Sequence, residues 1–179
     1  MRALLSTRAT PPLVVPVTVV EYYNSGLDAY FVTGHSNEQA IVDGVAGFQR
    51  TGGTFSAVAA ASATGSQMPI CRYYISIVMP FTSSHFYGPR DTDCVLIANA
   101  QLAGFSYEGL DFAVTLPTAG ACPASAPFAV YRSFRAGAGG ETSNHRFSTS
   151  LARYNEMTAK GWSPEGIVFC AASGTAATQ

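Results

Sequence analysis

The sequence predicts a mostly β domain with short helices, an α+β arrangement built from three β-β-α-β repeats. Two observations predict it: one set of motifs recurs three times, and each copy carries strand, strand, helix and strand signals in the same order. The last block of the motif starts at Phe48, Phe105 and Trp162, which are two steps of 57 residues. Because neighbouring copies of a repeat complete one another's core, we expect one compact, pseudo-threefold, trefoil-like domain.

The repeats define the domain organisation. Residues 1–16 are interpreted as an N-terminal linker or signal remnant, residues 17–171 as a single three-repeat domain, and residues 172–179 as a flexible tail. The repeats span about residues 19–58 (repeat one), 70–114 (repeat two) and 128–171 (repeat three). The segments that join them are rich in Ala, Ser, Gly and Pro, a composition typical of loops.

Three strands are predicted in each repeat. The first comes from aromatic and β-branched runs at residues 17–23, 70–78 and 128–134, a composition typical of strands. The second is short and aromatic, near residues 30–31, 86–87 and 147. The third follows at residues 54–58, 110–114 and 167–170.

A two-turn helix is predicted between the second and third strands. In repeat one, Ser36 and Gln39 have the spacing of a capping box. The cap candidates in the other repeats are Asp91 or Thr92, and Thr149 or Ser150. A glycine then ends each helix (Gly44 or Gly47, Gly104, Gly161), since the left-handed C-terminal position favours glycine.

Composition excludes some classes of function. Charged residues make up 12% of the chain and the net charge is −1, with no basic run, so binding of nucleic acid through phosphate neutralisation is not expected. No stretch reaches the roughly 18 apolar residues that a membrane span needs. The single lysine, Lys160, is more typical of a secreted or periplasmic protein than of a cytosolic one.

The four cysteines indicate disulfides. No Cys-x-x-Cys spacing or neighbouring histidine suggests zinc. Four cysteines allow three pairings, and the repeat boundaries favour Cys71 with Cys94 and Cys122 with Cys170, each bridge within or beside one repeat. Disulfides indicate an oxidising compartment.

The recurring motifs resemble a known family. Arg72-x-Tyr74, then His85-Phe86-Tyr87, then Gly104-Phe105-x-x-Glu108-Gly109, in tandem, are similar to a secreted repeat family of unknown function in bacteria and fungi, often found at the end of cell-wall hydrolases. The resemblance covers about residues 19–171 and implies an extracellular binding or attachment module, with sugar polymers as the expected ligand. Repeat one departs from the pattern, with Glu21, Ala29 and Thr51 in place of Arg, His and Glu.

Each of the other two repeats contains one matched arginine and glutamate. Arg72 with Glu108, and Arg132 with Glu165, predict partly buried ion pairs in a chain that has few charges. In repeat one, Glu21 takes the arginine position and Arg50 precedes the glutamate position. We therefore expect a pair of exchanged polarity there, which a structural ion pair tolerates and a catalytic pair does not.

His85 and His145 occupy equivalent positions and have two interpretations. They are either ligand contacts or general bases that titrate near neutral pH, or structural rings that donate a hydrogen bond to a neighbouring loop. The Ala29 substitution in repeat one shows that one domain can lack the third histidine, and recurrence in a repeat favours the structural interpretation.

The predicted function is an extracellular binding module for a glycan or cell-wall polymer, without catalysis of its own. Aromatic faces would stack on sugar rings while polar side chains bind the hydroxyls. The predicted ligand-binding residues are Tyr30, Tyr73, His85, Tyr87, Tyr107, Arg132, Asn144, His145 and Trp162.

The alternative function is a small hydrolase of an ester, lactone or glycan. Its catalytic candidates are His85, His145, Glu108 and Glu165. Ca²⁺ would assist it at Asp91 and Asp93, although a calcium loop needs more carboxylates; no other cofactor is expected. A third interpretation is a purely structural module that makes protein contacts. The sequence leaves the oligomeric state open.

Overall fold

A computed structural model describes residues 13–76, 84–137 and 143–178. Repeat one consists of β1 (Pro16–Asn24), β2 (Ala29–Thr33), helix α1 (Ser36–Val42) and β3 (Phe48–Ala59). Strand β1 is the middle strand, since it pairs antiparallel with both β2 and β3.

Repeats two and three have the same order. Repeat two contains β4 (Gln67–Ile75), β5 (Ser84–Pro89), α2 (Val95–Ala100) and β6 (Phe105–Thr115). A 3-10 turn (Ala60–Ser62) precedes it, and a π-helical turn (Arg90–Cys94) leads into α2. Repeat three contains β7 (Phe128–Arg135), β8 (Asn144–Ser148), α3 (Leu151–Ala159) and β9 (Ser163–Ala171). In both, the first strand again pairs antiparallel with the other two.

The structure confirms a mostly β fold with a few short helices and the predicted order of elements. The third strands are longer than predicted, because β3 and β6 start at the aromatic residue after the helix and β9 starts at Ser163, directly after Trp162. They also join the repeats: β3 pairs with β6, and β6 pairs with β9. The second strands β2, β5 and β8 contact one another.

Equivalent positions of the three repeats build the central core. Val19, Ile70 and Val130, one from each first strand, are all fully buried. Phe55, Phe112 and Phe169, one from each third strand, are at most 3% exposed and join the same cluster. The recurrence in sequence is therefore a recurrence in packing, as expected when each unit completes its neighbour's core.

The helix ends match the predictions in part. Gly47, Gly104 and Gly161 all have positive φ, between 81° and 92°, but only Gly161 directly follows a helix C-cap, Lys160 of α3, as predicted. In repeat one, Gly44 directly follows the C-cap Asp43 but is not left-handed, and in repeat two the left-handed C-cap is Gln101 and not Gly104. Ser150 caps α3, with its Oγ accepting a hydrogen bond from the backbone N–H of Arg153.

The other two predicted caps are wrong. Helix α1 already includes Ser36, and the N-cap residue His35 makes no side-chain cap hydrogen bond. The side chain of Gln39 instead donates to the carbonyl oxygens of Thr18 and Thr33, which tie the helix to the sheet. In repeat two, the helical segment begins at Arg90, before either cap candidate.

The end of the chain makes contacts that the sequence did not suggest. We predicted a flexible tail from residue 172, but Gly174–Thr175 form a short strand, β10, that pairs with β3. The Thr178 N–H then donates to the carbonyl of Thr51 at 2.8 Å, and Ala177 is buried. The exposed edge of β3 provides these partners, which explains the difference, since unpaired strand edges are templates for pairing.

Both predicted disulfides are confirmed. Cys71 bonds to Cys94, and Cys122 bonds to Cys170. The first lies in a buried cluster with Tyr73, and the second ties the loop before β7 to the end of β9. Among the helices of the described ranges, none is long and apolar enough to cross a membrane.

Candidate functional site

Repeats two and three each contain an arginine, a glutamate and a histidine that converge on one carboxylate oxygen. The Arg72 Nε donates to Glu108 Oε2 at 2.8 Å, and His85 Nε2 lies 3.4 Å from the same oxygen. In repeat three, Arg132 Nε donates to Glu165 Oε2 at 2.7 Å, and His145 Nε2 lies 3.8 Å away. The predicted ion pairs are confirmed, and each histidine lies beside the glutamate of its pair.

Arg72 also bridges repeats one and two. Its Nη1 is 2.7 Å from Glu38 Oε2 on α1 and 3.1 Å from Asp111 Oδ2 on β6. Burial raises the pKa of the Asp111 carboxyl, and the nearby charge of Arg72 opposes that rise. Hydrogen bonds from Arg72 lower the pKa of Glu38 in spite of the opposing effect of burial. Sequence reasoning missed Glu38 and Asp111 because neither recurs in the motif.

In repeat one, the predicted pair of exchanged polarity is wrong. Glu21 pairs with Arg146 of repeat three, with Nε 3.0 Å from Oε1 and both side chains 3% exposed. Arg50 points to Asp43 instead, with two contacts of 2.7 Å. Thr51 donates to Glu21 Oε2 at 2.5 Å.

A signal for this interface was present in the sequence. Arg146 stands where repeats one and two have the aromatic residues Tyr30 and Phe86. In the matching contact between repeats two and three, the Arg132 guanidinium lies over the Phe86 ring at 5.6 Å. Repeat one has Glu21 at the arginine position of the motif, and repeat three has Arg146 at the aromatic position. These two departures from the motif pair with each other.

His145 is buried and uncharged at neutral pH. Burial and the nearby positive charge of Arg132 lower its pKa to about 3, in spite of a hydrogen bond with the backbone of His85 that raises it. Glu165 does not reverse the shift, because Arg132 already balances its charge. A base this weak is poorly matched to proton transfer at neutral pH. The structural interpretation of His145 therefore has the stronger support.

Most of the predicted ligand-binding residues have internal partners. The Tyr87 ring is buried and its hydroxyl donates to the carbonyl of Val32. The buried side-chain amide of Asn144 binds both backbone groups of Tyr30. Trp162 is 5% exposed, with the Arg135 guanidinium 4.9 Å from its ring centre.

Tyr107 is the exception among them. Its side chain is 58% exposed, and its ring centre lies 5.2 Å from that of the buried Tyr73. The two rings border a hollow of about 360 Å³ that is also lined by Arg90, Val95 and Ala98. Arg90 is held by Asp91 through contacts of 2.6 and 3.1 Å, so a charged pair lies at the rim.

A second and larger cavity lies on the other side of α2, between repeats two and three. Its volume is about 590 Å³. Aliphatic and aromatic side chains form most of its wall, and Asp93, Ser143, His145 and Glu165 supply polar groups. Sequence reasoning did not predict it, because its walls come from strands and helices of two repeats that only the tertiary fold brings together.

In the part of the chain that it describes, the structure adds no further ligands to the predicted calcium site at Asp91 and Asp93. Asp91 is paired with Arg90, and the Thr92 hydroxyl lies 3.5 Å from Asp93 Oδ1. Within residues 13–76, 84–137 and 143–178, no three His, Cys, Asp or Glu side chains form a group that could hold a metal ion.

Comparison with protein families gives one match. The model of the family described as domain of unknown function DUF5648 matches residues 18–172. The chain belongs to this family. The DUF5648 match begins within β1 and ends directly after β9, so it covers all three repeats, and its description assigns no activity. No curated protein and no solved structure matches the chain.

Proposed function

We propose that this DUF5648 domain is an extracellular binding module for a glycan or cell-wall polymer, and that the polymer binds at the Tyr107 hollow of repeat two. The observation that carries the proposal is the exposure of Tyr107 on a fixed support. Its ring offers an apolar face to solvent while Tyr73 packs against it. An apolar platform beside a few convergent polar groups is the usual composition of a small-ligand site.

The rim of the hollow suits sugar hydroxyls. Arg90 and Asp91 are about half exposed and pair with each other, so the guanidinium can donate to a ligand and the carboxylate can accept from it. Tyrosine contributes a large contact area and a polar hydroxyl at its tip. A pyranose ring stacked on Tyr107 would place its hydroxyls within reach of this pair.

The hollow belongs to repeat two. At the positions equivalent to Tyr107, repeat one has Arg50, which pairs with Asp43, and repeat three has Pro164. We therefore propose one binding site, in repeat two, and not one in each repeat. Avidity for a polymer would then come from several copies of the domain on one chain or from an attached partner.

We also propose a location, a role and a symmetry for the domain. Two disulfides favour an oxidising compartment, so we propose that the domain is secreted. The resemblance to repeats at the end of cell-wall hydrolases suggests that it holds such an enzyme on its substrate. We also propose that the three repeats surround a pseudo-threefold, trefoil-like axis, supported by the mutual contacts of the second strands.

The test is co-sedimentation of the purified chain with peptidoglycan, chitin and cellulose. We expect retention by one polymer, a loss of about tenfold in affinity, or about 1.4 kcal/mol, for Tyr107→Ala, and near-normal binding for Tyr107→Trp. Phe128→Ala is the matched control, since Phe128 is also exposed, at 41%, but belongs to repeat three. Full binding by Tyr107→Ala would remove the site, and no retention of the unmodified chain by any polymer would remove the function.

A further inference from the structure

The cavity of about 590 Å³ between repeats two and three has the size and wall of a ligand pocket. Pockets for small ligands measure roughly 300–1,000 Å³ and are mostly apolar with a few polar groups. Here Ile75, Leu96, Ile97 and Leu102 provide aliphatic surface, and three phenylalanines provide aromatic surface. Four aliphatic side chains offer nothing to sugar hydroxyls, so this wall favours an apolar ligand body.

Part of the wall is exposed to solvent. Leu96 is 67% exposed and Leu102 is 46% exposed. Exposed apolar side chains around a concave surface lose contact with water when a ligand covers them, which stabilises binding.

The polar groups give the cavity a negative charge. Glu165 is balanced by Arg132 at 2.7 Å, and His145 is neutral at pH 7 because burial lowers its pKa. Asp93 has no ion-pair partner among the residues that the structure describes. One carboxylate charge therefore remains beside the apolar wall.

The Asp93 side chain packs directly against Gly88 of β5. A Cβ at position 88 would lie 2.6 Å from the Asp93 Cβ and 2.9 Å from its Oδ2. Glycine is therefore needed on β5 for the aspartate to pack directly against that strand. This close packing leaves Asp93 in the wall of the cavity.

We propose that this cavity binds a small amphiphile with an apolar body and a single cationic amine head, the body against the aliphatic wall and the amine at Asp93. The site is separate from the Tyr107 hollow, and it stands or falls independently of glycan binding. An anionic amphiphile would place a second negative charge beside Asp93, and like charges at close range oppose binding.

Three probes of equal chain length test the proposal: octylamine, octanol and octanoate, titrated into the whole chain and followed by calorimetry. We expect octylamine to bind about tenfold more tightly than octanoate at low salt, with octanol between them. The preference should shrink as salt is added, because exposed charges are screened. Equal or tighter binding of octanoate, or no binding of any probe, would overturn the proposal.

Variants separate the charge from the apolar wall. Asp93→Asn should bring octylamine to the affinity of octanol, whereas Glu156→Gln, on α3 and outside the cavity wall, should leave the preference unchanged. Ala136→Trp, at an exposed position of the wall, should weaken all three probes. Leu102→Arg, also exposed, should weaken octylamine and strengthen octanoate, so it tests the site even if the tryptophan variant does not fold. Octylamine binding that ignores both Asp93→Asn and Leu102→Arg would contradict the site.

Discussion

Glu21 and Arg146 form a buried ion pair between the first and third repeats. Both side chains are 3% exposed, with Arg146 Nε 3.0 Å from Glu21 Oε1 and its Nη2 3.3 Å from Oε2. Thr51 binds the same carboxylate, and the Arg146 guanidinium lies 3.9 Å from the ring centre of Tyr30. Removal of one partner leaves the other charge buried and uncompensated.

We expect Arg146→Phe to destabilise the domain by about 3–5 kcal/mol, because Glu21 then has no cation. The triple variant Glu21→Arg, Thr51→Glu and Arg146→Phe restores the residue types of repeats two and three at this interface. It should recover most of the lost free energy of unfolding, measured by urea denaturation. A triple variant no more stable than Arg146→Phe would show that the three contacts between repeats are not interchangeable.

The lowered pKa of His145 predicts a pH dependence of stability. The folded state keeps this ring neutral down to about pH 3, whereas the unfolded chain protonates it near pH 6.5. Stability from His145 is therefore complete above pH 6.5 and is lost between pH 6.5 and about pH 3, by about 1.4 kcal/mol per pH unit.

The comparison is between the unmodified chain and His145→Asn at pH 7 and pH 5. The difference in their free energies of unfolding should shrink by about 2 kcal/mol at the lower pH. Parallel losses in both chains would mean that other groups cause the acid sensitivity.

Tyr73 and Tyr107 should differ in what their loss affects. Tyr73 is 6% exposed and packs with the Cys71–Cys94 bridge, so Tyr73→Ala should cost about 3–5 kcal/mol, as for other buried aromatics. Tyr107→Ala should cost less than about 0.5 kcal/mol, typical of a surface substitution. Thermal melts of the two variants check this. A large stability loss for Tyr107→Ala would mean that its ring is structural, contrary to the proposed binding role.

The two disulfides should contribute unequally. Their sequence separations are 23 and 48 residues, and the loss of unfolded-state entropy grows with the loop that is closed, to about 3 and about 4 kcal/mol. We expect Cys122→Ala/Cys170→Ala to lower stability more than Cys71→Ala/Cys94→Ala in urea titrations. The reverse order would show that packing around the buried bridge outweighs loop length.

The contacts of the chain end predict a cost of truncation. A Cβ built on Gly53 would lie 3.0 Å from Glu21 Oε2 and 3.4 Å from the Cβ of Ala177. The end of the chain therefore lies close to the buried ion pair. Removal of residues 174–179 should destabilise the domain by about 1–3 kcal/mol, through lost hydrogen bonds to β3 and apolar burial. Hydrogen exchange at the Thr51 and Glu21 amides should speed up in the truncated chain, while exchange in β4 stays the same.

The sequence by itself determined what lies within one repeat. The order of strands and helix, the glycine after α3, both disulfides and the Arg72–Glu108 and Arg132–Glu165 pairs could all be predicted. Each depends on local backbone preference or on a constant spacing, and a motif that is repeated three times shows both. The buried core positions follow the same spacing, as Phe55, Phe112 and Phe169 illustrate.

Only the tertiary structure decided the contacts between repeats. Glu21 pairs with Arg146 and not with Arg50, and Arg72 also pairs with Glu38 of the neighbouring repeat. Exposure was decided at the same level, since Tyr87 and Tyr107 were both predicted to contact a ligand but one is buried and the other is 58% exposed. The physical reason is that the packing of the repeats against one another sets which faces meet, and that geometry is not written in the spacing within any one repeat.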